Sequence, residues 1–433
     1  MASAQTQTIR WRMAIAGTLL VLLATSGRSL WLAVEHGRSA PWSGGDLHAY
    51  WYYGHFVRQG VSPYHAWISD PFSISLPVRY LDGVTAELVP ADLSMMPANT
   101  APMLFLLSLL SWLSWPLAKA VWLSCNLLFA LAIPWVAIRI LPRSPRLSGA
   151  AMATICLLFY GLYSTRVAVE MGQTSLFALL LMLGSIRLAD RSRTASGVCL
   201  GIALSKYSLA LPAFALLVCA RRSKVVVTAL AVQGAGMVGM SVLGSGSLTQ
   251  TYQFYRAVLH GHAGQQGMHL LAQLPPGTAV MIAVGVTVGG VMILLGIWIW
   301  RSGWLRGKID LCSPASLHVF NVVGLLNLLA IYHRGYDAVF VIVTIALAVR
   351  EASSPDARCK RTGLARLLCW ALVMVALTLP TAVLRVIFAV VGAVEKDPIA
   401  SAESLISLAV LALLADSVVR LYRVGWPATR PAS

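Results

Sequence analysis

Trp42 to Tyr64 reads WSGGDLHAYWYYGHFVRQGVSPY, a polar and aromatic stretch in a chain that is otherwise mostly apolar. Its acidic head, Asp46, follows a flexible Ser43-Gly44-Gly45. The pattern from Asp46 to Arg58 predicts a short helix, with Asp46 as its N-cap and Gly60 where the helix stops. At helical spacing Leu47, Tyr50 and Gly54 share one side, and His48, Tyr52 and His55 another. Trp and Tyr at this density suit a helix lying in a membrane interface. The stretch reads as one wall of an active site, with Asp46 at its chemical centre.

The rest of the chain is membrane-like. Of 433 residues, 58% are hydrophobic and 11% charged, with a mean hydropathy of +0.74. Soluble domains carry about 25% charged residues. The formal charge of +17 comes from Lys and Arg in short clusters between apolar runs. That is the signature of cytoplasmic loops and of contact with anionic membrane lipids, and it argues against nucleic acid as a partner. The seven Cys show no CxxC spacing, so neither a zinc site nor a disulfide framework is expected.

A span needs about 20 mostly apolar residues. The first runs from Trp11 to Val34 behind Arg10 and Arg12, and reads as a retained span with its N-terminus in the cytoplasm. A long extracytoplasmic loop over 34–100 follows, carrying Asp46, Asp70, Asp82, Glu87 and Asp92. Loops of this length are usually functional. Pro102–Trp115 reads as an interfacial or re-entrant helix and Leu117–Ile140 as a full span. Leu147–Ser164 crosses outward, Thr165–Gly172 forms a short outer turn, and Thr174–Ala189 returns. Ala195–Cys219 has basic clusters at both ends and is interrupted by Lys206 and Pro212. Two half-helices forming a hairpin fit it better than one span. Val225–Leu243, Thr278–Trp300, Pro314–Tyr332, Val339–Val349, Leu367–Gly392 and Ile399–Leu421 complete the count, with the C-terminus cytoplasmic. The expected fold is an all-α polytopic membrane protein of about 12 helices, one domain over residues 1–433.

With this topology three polar groups meet at the outer face: Asp46, Glu170 with Gln173, and His333, Arg334 and Asp337. Ionisable groups at the rim of a bundle mark substrate paths. Arg and His suit a phosphate, and a carboxylate suits removal of a proton from a hydroxyl. Each also has a plain structural reading. Asp46 caps its helix, Gln173 caps its span, and Arg334 pairs with Asp337 three residues on. Lys206 reads first as a side chain snorkelling to cytoplasmic headgroups and second as a substrate contact. His260, His262 and His269 resemble a metal cluster but have no carboxylate nearby, and read as solvated.

Four stretches in order carry a resemblance to a known family. They are Gly45-Asp46-Leu47-His48-Ala49-Tyr50 with Gly60-Val61-Ser62-Pro63-Tyr64; Trp112–Asn126 with Pro116, Ala120, Trp122 and Asn126; Gly172-Gln173 followed by a Leu-rich span and Ser196–Lys206; and His333-Arg334-Gly335-Tyr336-Asp337. The chain resembles glycosyltransferase family 87, membrane transferases of the GT-C fold class that use polyprenyl-phosphate sugars. It departs from the family at Asn99-Thr100-Ala101-Pro102, where a Tyr-Pro-Pro-like motif is usual, and at Tyr207-Ser208, where Pro often follows the Lys. The resemblance implies a polyprenyl-phosphate sugar donor and a glycolipid or glycan acceptor on the outer side of a bacterial inner membrane. It implies Asp46 as the base, with His333, Arg334, Asp337, Gln173, Glu170, Tyr50, Tyr64 and Lys206 binding substrate. No cofactor or metal is required by this reading. A lipid or glycan transporter or flippase of similar helix count is the alternative.

Overall fold

The computed structural model of the protein describes residues 45–69, 76–79, 85–88, 99–142, 147–244, 246–263, 278–302, 304–305, 309–330, 335–353 and 398–424, with isolated helical positions between 20 and 35. Most of the first apolar segment, the segment Leu367–Gly392, and His269, His333 and Arg334 lie outside these residues.

Described regular structure is helical apart from one antiparallel ribbon in the long first loop. There β1 (Leu76–Arg79) pairs with β2 (Thr85–Leu88), Leu76 opposite Leu88. The expectation of an all-α fold holds for the described residues, with this short ribbon as an addition in the loop. Helix α1 (Gly45–Arg58) forms as the pattern predicts, but Asp46 lies inside its first turn rather than at the cap. Gly60 stops it with a φ of +74°, the left-handed geometry that glycine adopts without strain. Helix α2 (Pro63–Ser69) follows.

Helix α3 (Ala101–Ser108) and a 3₁₀ turn over Leu109–Trp112 form the short apolar piece expected before the first described span. Helix α1 lies across it. Gly54 allows this, because a Cβ there would stand 2.9 Å from Ser108 Cα and Ser111 Cβ. Trp51 Nε1 donates to Leu113 O at 3.0 Å and Arg58 Nη1 to Ser111 O at 2.6 Å, fixing the helix along its length. Most of α1 is buried by this docking, with Leu47, Trp51 and Tyr52 each 1% exposed. The expected interfacial helix is thus a packed wall.

Helix α4 (Trp115–Ile140), with 26 residues, has the length and apolar character of a span. Helix α5 (Gly149–Gly161) runs back, and the chain bends by 55° into α6 (Tyr163–Glu170). The expected outer turn over Thr165–Gly172 is therefore helical for most of its length. Its Ser164, Thr165, Ala168 and Val169 are buried while Tyr163, Arg166 and Glu170 are half-buried. Helix α7 (Ser175–Leu188) returns beside α4.

Helices α8 (Arg193–Ala203) and α9 (Tyr207–Cys219) are separated by a 3₁₀ turn over Leu204–Lys206. Taken together they are long and apolar enough for one span. A continuous helix of that length would hold its ends about 40 Å apart. Instead Arg222 Nη2 lies 2.5 Å from Asp190 Oδ1, so the two ends share one end of the bundle. Helix α10 (Ser223–Leu243) then runs parallel to α8. Gly197 meets Val225 and Thr228, and Gly201, one turn on, meets Ala229 and Val232. This is the close approach that small residues at i, i+4 allow. The chain doubles back at Leu204–Lys206, a hairpin with its tip inside the bundle.

The remaining described helices are α11 (Leu248–Ala263), α12 (Thr278–Ser302), α13 (Pro314–Ala330), α14 (Ile342–Ala352) and α15 (Pro398–Val424). Helix α13 is buried on nearly all sides. A 3₁₀ segment, Gly335–Val341, leads into α14. At the Asp190–Arg222 end, Arg420 joins Glu351 at 2.5 Å and Asp416 at 2.6 Å, and His318 Nε2 lies 3.3 Å from Glu351. These contacts tie α13, α14 and α15 together.

Candidate active site

At the opposite end, five pieces of backbone converge: the start of α1, Asn99-Thr100, the turn Gly172–Ser175, the hairpin tip and the segment from Gly335. Backbone geometry sets each. Thr100 N donates to Ser205 O at 3.3 Å, so the lead into α3 is held on the hairpin tip. Gly172 has a φ of +65°, and a Cβ there would stand 2.6 Å from Leu47 Cβ. The turn can press on α1 only because residue 172 has no side chain.

Helix α4 holds the same turn from below. Trp122 Nε1 donates to Gly172 O at 2.7 Å. The Asn126 amide, oriented to satisfy both its ends, accepts from Trp122 Nε1 at 3.0 Å and donates to Gln173 O at 3.1 Å. Trp122 and Asn126, noticed in sequence only as pattern, are thus a fixed cradle for Gly172-Gln173.

Lys206 is the hub. Its Nζ lies 2.9 Å from Asp337 Oδ1, 2.7 Å from Ser175 Oγ and 3.2 Å from Gln173 Oε1. Ser175 Oγ donates to Asp337 Oδ1 at 2.7 Å, and the Tyr336 ring faces the ammonium at 4.7 Å. The side chains of Lys206 and Asp337 are 11% and 4% exposed. The snorkelling reading of Lys206 is therefore overturned. The hairpin tip points at the polar end, and Asp337 with the 173–175 turn satisfies the ammonium there. Gln173 is an acceptor for Lys206, not a helix cap.

Tyr50, one turn after Asp46, joins α1 to this cluster. Its hydroxyl sits beside Asn99 and Thr174, and burial, then the charge of Asp46, pushes its ionisation well above the ordinary phenol range, with Asp337 adding to the shift. It stays a neutral hydrogen-bond donor between two carboxylates. Asp46 itself is half-buried. His48 is 1% exposed, edge-on to Trp115 at 4.9 Å, and burial lowers its pKa to about 4. It is a neutral imidazole at physiological pH, so it supplies no positive charge. Thr100 Oγ1 and Thr165 Oγ1 are buried without a hydrogen-bond partner, as happens where a polar ligand is to be received.

Asp46, Tyr50, Gln173, Lys206 and Asp337, all expected from sequence, are thus brought to one end of the bundle. Glu170 ends α6 at the same turn but does not reach Lys206, whose contacts are filled by Gln173, Ser175, Tyr336 and Asp337. Tyr64 is a correction. It is fully buried, with its hydroxyl donating to Asn99 O at 2.7 Å and its ring against Tyr255. It braces Asn99 from behind, with its hydroxyl committed to that carbonyl. Ser175 and Asn99 were not expected. Among the described residues no group of three or more His, Cys, Asp or Glu could hold a metal ion.

The fold and this site define a polytopic helical membrane protein whose polar centre is built from chain segments far apart in sequence. Residues 99–313, roughly half of the chain, match the model of glycosyltransferase family 87, and the chain belongs to that family. It is a glycosyltransferase. The matched stretch holds Gln173, Ser175 and Lys206, while Asp46 and Asp337 flank it. No curated protein and no solved structure matches the chain.

Proposed function

We propose that the protein moves one sugar, mannose or another hexose or pentose, from a polyprenyl-phosphate donor to a lipid-linked or cell-envelope glycan. The reaction takes place on the extracytoplasmic side of a bacterial inner membrane and inverts the anomeric centre. The observation that carries this reading is Tyr50. It links the Asp46 helix to the Lys206–Asp337 cluster, so a half-buried carboxylate stands at the same end of the bundle as that cluster.

Asp46 takes the proton of an acceptor hydroxyl. The hydroxyl oxygen attacks the anomeric carbon opposite the phosphate, the carbon–oxygen bond to phosphate breaks, and its electron pair leaves with the phosphate. A β-linked mannosyl donor gives an α product. His333 and Arg334 lie beside Tyr336 and Asp337 in sequence and stabilise the phosphate as its charge grows. Tyr50 and Gln173 orient the sugars, and the Lys206–Asp337 pair fixes the wall. Protein cations can hold a leaving monophosphate, so this reading requires no metal.

Labelled polyprenyl-phosphate mannose supplied to membranes holding the protein tests the reading. Label appearing in a new glycosidic bond is the expected result. Donor that crosses the membrane with its phosphate–sugar bond intact would instead indicate a transporter.

A further inference from the structure

We propose that Arg166 is a phosphate-binding residue of this site, taking the phosphate of the lipid-linked donor; this rests on the function proposed above. Arg166 lies on α6, which packs against Gly335–Val341 and runs directly into the Gly172-Gln173 turn, with Gln173 N donating to Ala168 O at 2.8 Å. Its guanidinium lies over the Tyr163 ring, 5.0 Å from the centroid. Its Nε is buried with no hydrogen-bond partner. Among the described residues it forms no ion pair, not even with Glu170 one turn on.

A guanidinium whose Nε is buried without a partner carries a desolvation cost, and an anion that accepts from it removes that cost. Among the described residues, Lys206 is already neutralised by Asp337. Arg166 adds a positive charge alongside those proposed for His333 and Arg334. The donor is a phosphodiester with one negative charge, and the departing monoester approaches two as the bond to the sugar breaks. Arg offers two parallel donors to such a group, and a ring beneath it holds the fork in place. The buried Oγ1 of the neighbouring Thr165, also without a partner, leaves a second donor in the same stretch.

A phospholipid headgroup offers the same phosphate chemistry, so the test must separate the two. The full chain is placed in nanodiscs of neutral lipid, and binding of polyprenyl monophosphate is measured for the wild type, Arg166→Lys and Arg166→Gln. Donor kcat and KM are measured in parallel. Arg166→Gln is expected to weaken polyprenyl-phosphate binding roughly tenfold or more and to raise donor KM more than it lowers kcat. Arg166→Lys should fall between and should show that the fold survives. Equal binding by Arg166→Gln and wild type overturns the proposal, as does a defect seen only with anionic phospholipid in the disc, which would assign Arg166 to bulk headgroups. Arg166-dependent binding without any transfer would sink the transferase reading and leave this one standing. Normal transfer with an indifferent Arg166 would do the reverse.

Discussion

Lys206, Asp337 and Ser175 show what single residues contribute. A charge in a low-dielectric setting persists only when its partners are complete, and here one ammonium meets a carboxylate, a hydroxyl and an amide. Lys206→Met leaves Asp337 in place without its cation and should destabilise the purified protein by about 3 kcal/mol. Adding Asp337→Asn should recover much of that loss, because it removes the negative charge that Lys206 had balanced. Thermal unfolding in detergent measures both, and a single variant as stable as wild type would mean the pair is not a structural unit. Lys206 and Asp337 were legible because charges in apolar runs are rare enough to stand out. Ser175 was not, since a serine beginning a Leu-rich helix carries no signal of its own. Tyr64 misled because a buried Tyr beside a motif looks the same in sequence whether its hydroxyl meets a substrate or a backbone carbonyl.

At the scale of elements, the site depends on how closely α1 docks on the turn at Gly172. Gly172→Ala would force a left-handed residue to carry a Cβ 2.6 Å from Leu47 Cβ. It should cost about 1–3 kcal/mol and lower transfer, by shifting Asp46 away from the cluster. Leu47→Gly in the same chain should restore part of the activity by removing the Cβ that the new methyl strikes, though not the backbone strain. Activity and melting temperature of the single and double variants decide this. Failure of the second substitution to help would place the damage elsewhere. The α8–α9 hairpin was legible from charge, because basic residues at both ends of an apolar run contradict one crossing. Helix α6 was missed because it is short and Gly172-Gln173 follows it closely, so the turn signal dominated.

Across the whole molecule, polarity is sorted to two ends. The Asp190–Arg222 pair and the His318–Glu351–Arg420–Asp416 network lie at one, the Asp46–Lys206–Asp337 site at the other. Charge distribution made this sorting legible, whereas the β1–β2 ribbon, in a loop with no clear period, was not. If the basic end is cytoplasmic, single cysteines replacing Arg191 and Lys224 should both react with an impermeant thiol reagent only from the cytoplasmic side. Reaction from opposite sides would mean the chain crosses between them, against the Asp190–Arg222 contact. The central claim is that Asp46 is the base of a sugar transfer. Its most direct test is mannose transfer from polyprenyl-phosphate mannose in membranes, comparing wild type with Asp46→Asn at matched protein level, with donor binding measured alongside. Transfer lost by roughly a hundredfold or more, with donor binding retained, is the expected result. Full transfer by Asp46→Asn would contradict it.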